Sequence, residues 1–174
     1  MGLHIIIDGY NLIRQSPELA GLDRQDLQWG RDALVEWLRA YKKIKPHKIT
    51  VVFDGAEVPS LYASRDQAGG ILIRFSAAGQ SADEVILQMV RQERERALVV
   101  TSDRAVMRAA EAAGAGVMAS AEFEEKLVMA RYFSVKGEDA DSGATGWRPT
   151  TRKKGPDRRL PKRQRKARRQ MEKL

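Results

Sequence analysis

Three apolar runs in this chain end on aspartate, and that repetition limits the available folds more than any other feature. "LHIIID" closes on Asp8, "ITVVFD" on Asp54 and "ALVVTSD" on Asp103. Short apolar runs of this kind, bounded by polar residues, are of strand length. They are continuous rather than alternating, so both faces of each strand must be covered, as in a parallel sheet flanked by helices. The strands are read as Leu3–Ile7, Ile49–Phe53, Ile71–Phe75, Ala97–Thr101 and a short Gly116–Met118. Helical spacing fills the gaps. From Asp26 to about Lys43 it puts Leu27, Leu34, Trp37, Leu38 and Tyr41 on one face, and Pro46 ends the run. From Ser81 to about Arg96 the apolar face is Val85, Ile86, Met89 and Val90. Asp103–Ala113, closed by Gly114, and Ala121–Phe133 complete the set. The segment between Gly9 and Gln25 receives no element, and Gly55–Gly70 reads as loop. The expectation is an α/β domain: a mostly parallel sheet with helices on both faces, three layers in all.

Charge divides the chain. The net charge of +8 hides a tail, Arg148–Leu174, with 13 Lys/Arg against 2 Asp/Glu, while residues 1–147 carry 18 against 21. One domain is expected over residues 1–135. Residues 136–174 are read as linker and basic tail, too poor in apolar surface to fold alone. A basic tail on a mildly acidic body points to a polyanionic partner. Its candidate contacts are Arg152, Lys153, Lys154, Arg158, Arg159, Lys162 and Arg163, with Trp147 as a base-stacking candidate. With no cysteine, disulfides and thiolate metal ligands are excluded. No secretory signal and no run of about 20 apolar residues is present, so a soluble cytoplasmic protein with no membrane partner is expected.

In an open parallel sheet, ligands bind outside the carboxyl ends of the strands. Asp8, Asp54 and Asp103 fall at that edge if their strands are neighbours, and the helix start "SADEV" adds Asp83. Clustered carboxylates repel unless a cation is shared among them. Oxygen ligands without Cys or a well-placed His suit Mg²⁺ or Mn²⁺. Such ions activate water and flank an in-line displacement at phosphorus, so the substrate class is a phosphodiester. Taken singly, each Asp reads as a turn or cap residue sooner than as a ligand, and it is their repetition at one sheet edge that shifts the balance. Ser81 with Glu84 matches a capping box, and Ser102 or Asp103 can cap the following helix. Asn11 either orients substrate or completes the turn after Asp8. Trp29 and Trp37 sit at helical spacing and read as core. Arg104 is the one cation beside the acidic set and a further candidate substrate contact.

"IIIDGYNLI", "VVFDG", "SADEVI" and "VVTSDRAV", in this order from Leu3 to roughly Phe133, resemble the NYN-domain ribonucleases of the PIN-like superfamily, closest to the YacP-like branch. The resemblance implies a PIN-like fold and metal-dependent cleavage of RNA, with the ribosome as a further candidate partner. It implies metal ligation by Asp8, Asp83 and Asp103, a fourth acidic position at Asp54, and substrate contacts from Asn11, Ser81 and Ser102. The tail lies outside the pattern. The rival reading is a non-catalytic RNA- or ribosome-binding protein that keeps the fold. A flap-type DNA nuclease shares "FDG" but carries an arch and clamp for which this chain is too short. Phosphatase and dinucleotide-binding readings fail for want of Asp-x-Asp after a strand and of Gly-x-Gly-x-x-Gly.

Overall fold

The computed structural model describes residues 2–55 and 65–139. Six strands form one sheet: β1 (His4–Asp8), β2 (Lys48–Phe53), β3 (Arg65–Ala68), β4 (Ile71–Phe75), β5 (Ala97–Val100) and β6 (Gly116–Met118). Their order is β3-β4-β2-β1-β5-β6. Every pairing is parallel except β3 with β4. The helices are α1 (Gly9–Gln15), α2 (Pro17–Asp23), α3 (Leu27–Ile44), α4 (Ala82–Glu93), α5 (Arg104–Ala112) and α6 (Ser120–Asp139). One apolar cluster joins α1, α2, α3 and α6 to the sheet through Ile5, Ile7, Val51 and Phe53. A second joins α4 and α5 to the opposite face through Ile6, Val52 and Val99. Alternate residues of β1 thus serve opposite cores, which is why its apolar run is continuous. The fold is the expected mixed α/β sandwich with a mostly parallel sheet.

Three local expectations are corrected. The unassigned segment after Asp8 is two short helices. Asp8 caps α1, with Asn11 N–H donating to its Oδ1 at 3.3 Å, and Leu12 and Ile13 are fully buried. Ser16 caps α2 with Pro17 at the first position, where the missing N–H costs nothing. The stretch read as loop contains β3, an antiparallel edge strand. Its turn to β4 is Gly69–Gly70 with φ of +56° and +80°, the double positive φ of a type I′ hairpin. Trp29 is exposed while Trp37 is buried, so one of the two expected core tryptophans lies on the surface. In addition α6 continues to Asp139, beyond the helix end expected at Phe133. The rest of the linker and all the basic tail residues lie outside the described residues. Among the described residues no helix is long and apolar enough to cross a membrane.

Candidate active site at the carboxyl edge of the sheet

The strand order settles where the acidic residues meet. β2, β1 and β5 are adjacent and parallel, so Asp8, Asp54 and Asp103 leave the same edge. Asp83, in the first turn of α4, reaches the same region from the far face of the sheet. Asp8, Asn11, Asp54, Ser81 and Asp83 line a cleft of about 300 Å³ together with Tyr10 and Arg14. Asp103 stands at its margin, within electrostatic reach of Asp8 and Asp83.

Three of the four carboxylates have a local structural anchor. Asp8, buried at the end of β1, holds the N-terminus of α1 with Oδ1 and accepts Thr101 Oγ1 on Oδ2 at 3.2 Å. The same Thr101 hydroxyl accepts Asp103 N–H at 3.1 Å. Asp103 Oδ1 then caps α5 by accepting the N–H groups of Ala105 and Val106, at 2.7 and 3.1 Å. Asp54 accepts Ser76 Oγ at 3.4 Å, and Ser76 Oγ accepts Gly55 N–H at 2.8 Å. A Cβ at Gly55 would lie 1.9 Å from the Ser76 carbonyl oxygen, so this approach requires glycine. Three helix N-termini therefore surround the acidic set, and their positive ends offset part of its repulsion.

The offset is incomplete. Burial pushes the Asp8 carboxyl up to about 6, with the charges of Asp83 and Asp103 adding to the rise. Asp83 is also raised, first by burial and then by Asp103, Asp54 and Glu84. An oxygen-only, mutually repelling donor set fits a hard divalent cation in kind and in sign. Among the described residues, however, no three His, Asp or Glu side chains stand close enough together to enclose an ion. An ion would have to draw them inward against the spacing that repulsion favours.

The polar residues expected beside the acids have other partners. Asn11 Oδ1 accepts Ser102 N–H at 2.8 Å and Ser120 Oγ at 2.7 Å, tying α1 to the β5–α5 turn and to the start of α6. Ser102 Oγ accepts Ser120 N–H at 3.2 Å. Ser81 and Glu84 form the reciprocal capping box of α4. Arg104 is exposed and does not line the cleft, whereas Arg14, one α1 turn beyond Asp8's cap, does. Sequence reasoning missed Arg14, Thr101 and Ser120. Arg14 belongs to a helix that had not been assigned, and the other two act over long sequence separations.

A mixed, mostly parallel sheet with helices on both faces and an acidic cleft at its carboxyl edge is the architecture expected of a PIN-like, nuclease-type domain. The chain belongs to the YacP-like NYN domain family, whose model matches residues 5–173 and so extends through the basic tail. The "Uncharacterized protein YacP" of Bacillus subtilis (strain 168) is 27% identical over 87 residues, 50% of this chain and 51% of that protein. The match thus spans about half the length of that relative. The crystal structure of Rae1 (YacP) from Bacillus subtilis has a TM-score of 0.69 at 24% identity, covering 82% of this chain and 83% of that one. A mutant of the same protein gives 0.66 at 21% identity, covering 82% and 85%. Both likenesses support the fold alone.

Proposed function

We propose that the protein is a cytoplasmic, metal-dependent endoribonuclease that hydrolyses phosphodiester bonds of RNA with Mg²⁺ or Mn²⁺. The observation that carries this reading is the meeting of aspartates from four segments, Asp8, Asp54 and Asp83 lining one cleft with Asp103 at its margin, and Asp8 held up near 6 by burial and by its acidic neighbours. Structural capping alone accounts for Asp8 and Asp103 singly, but not for placing Asp54 and Asp83 against them at a cost in repulsion. A cation there would be held by Asp8, Asp83 and Asp103, with Asp54 directly or through water, and would polarise the phosphate and activate a water for in-line displacement. Arg14 supplies positive charge at the cleft wall for a substrate phosphate. Thr101 and Asn11 hold the Asp8 and Asp103 segments in register. The basic tail holds the remainder of the RNA, on or off the ribosome.

The rival is a non-catalytic RNA- or ribosome-binding protein that keeps the fold. Incubating structured and unstructured RNA with Mg²⁺, Mn²⁺ or a chelator decides between them. Cleavage that requires the cation and is lost in Asp103→Asn is expected. RNA left intact under every condition, yet bound, establishes the rival.

A further inference from the structure

Beside the acidic cleft lies a second cavity, of about 550 Å³, that the proposed cleavage chemistry does not use. Its floor is apolar: Val35, Phe53, Ile73 and Phe75. Phe75, half-buried at the end of β4, stacks on Phe53 with ring centroids 5.6 Å apart. The Arg31 guanidinium stands over the Phe75 ring, 5.7 Å from its centroid. The rim is polar and acidic, with Asp32 and Glu36 on the exposed face of α3. Asp32 Oδ1 accepts Gln28 Nε2 at 2.6 Å, and Glu36 Oε1 pairs with Arg39.

The cavity adjoins the cleft through one side chain. The Tyr10 ring lines the cleft, meets Phe53 edge-on at 5.0 Å, and accepts Arg31 Nη1 on its hydroxyl at 2.7 Å. A strand lying across Asp8 and Asp54 therefore has this cavity beside it at the ends of β2 and β4.

Its chemistry selects what enters. Arg31 in the wall and Arg39 paired with Glu36 balance the two rim carboxylates, so the cavity has no excess positive charge to draw in a phosphate. A flat apolar group with polar edges matches the floor and wall, because bases stack on aromatic rings and on Arg guanidinium planes. Carboxylates accept from N–H donors and offer none themselves. Adenine, cytosine and guanine carry an exocyclic amino group, whereas uracil offers only its ring N3–H, flanked by two carbonyl oxygens that a carboxylate repels. We propose that the cavity between Arg31, Phe75 and Glu36 binds one amino-bearing nucleobase of the RNA strand whose phosphodiester lies in the Asp8 cleft. This rests on the ribonuclease reading for the identity of the strand, but base binding can be measured without cleavage.

The test titrates the full chain with adenosine, cytidine, guanosine and uridine at millimolar concentration while following the Val35 and Ile73 methyl resonances. Amino-bearing nucleosides are expected to shift these signals, and uridine, which stacks but lacks the amino contact, to bind roughly fivefold more weakly, about what one hydrogen bond is worth net. Phe75→Leu, which keeps the apolar floor but removes the ring, and Glu36→Gln, at an exposed position, should each weaken the amino-bearing set by a similar factor. Asp103→Asn should leave nucleoside binding unchanged. Methyl signals that move equally with all four nucleosides, or with none, overturn the proposal. Selective nucleoside binding without RNA cleavage upholds the cavity and removes the nuclease reading. Cleavage indifferent to base in wild type, Phe75→Leu and Glu36→Gln alike upholds the nuclease and removes the cavity.

Discussion

The carboxyl of Asp8 titrates in the folded protein at about 6 rather than the ordinary 3.8, so its ionisation is linked to folding. The folded chain holds this proton more tightly than the unfolded chain. Stability contributed by protonated Asp8 is therefore present below about pH 4 and is lost as pH rises through 6. The full penalty, at most about 3 kcal/mol, applies at pH 7. Asp8→Asn keeps an oxygen for the α1 cap and removes the charge. Urea unfolding at pH 7 should show the variant more stable by about 1–3 kcal/mol, and the two proteins should converge near pH 4. A variant less stable than wild type at pH 7 would mean that the carboxylate itself supports the fold. Millimolar Mg²⁺ should raise the melting temperature of wild type more than that of the variant, because only the intact set binds it well. Asn11 is read differently from its role in the resemblance. Its Oδ1 satisfies two donors, so Asn11→Ala leaves both without that acceptor, at about 1–3 kcal/mol. Denaturation with wild-type stability and an altered Michaelis constant for RNA would instead assign the amide to substrate.

At the scale of elements, the placement of Asp83 depends on where α4 starts. The reciprocal capping box of Ser81 and Glu84 pins that start, and Ala82, Val85, Ile86 and Met89 bury the face that follows. Ser81→Ala should cost about 0.5–2 kcal/mol, read by thermal or urea unfolding, and Ser81→Asn should restore most of it. Equal loss of RNA cleavage in Ser81→Ala and Ser81→Asn, at restored stability, would show that the hydroxyl meets substrate. The β3–β4 hairpin was not anticipated because four residues containing Arg, Asp and Gln make no apolar run. The Gly-Gly turn was the available signal. α1 and α2 were missed because each is seven residues long, too short for its apolar spacing to stand out, and helices of that length depend on tertiary burial. Asp8, Ser16 and Pro17 nevertheless mark both starts.

For the whole molecule, charge is divided between an acidic cleft and a basic tail. The tail should hold RNA through its phosphates, with binding that falls with salt at a log–log slope of roughly −0.7 per phosphate neutralised on single strands. Truncation after Gly146 should weaken binding and flatten that slope, while leaving slow, cation-dependent cleavage by the body. Equal slopes for full and truncated chains would remove the tail from the contact. The parallel α/β class was legible in the chain, since strands buried on both faces need continuous apolar runs, and so were the aspartates at strand ends and the cap of α4, since these are set by residues near in the chain. That β2, β1 and β5 are neighbours emerged from the packed fold. It alone paired Asp8 with Thr101 and Asn11 with Ser102 and Ser120, partners 93, 91 and 109 residues apart. It also put Arg31 over Phe75. Such pairings leave no local periodicity, because strand order and long-range packing are chosen by the summed burial of the whole sheet rather than by any one segment.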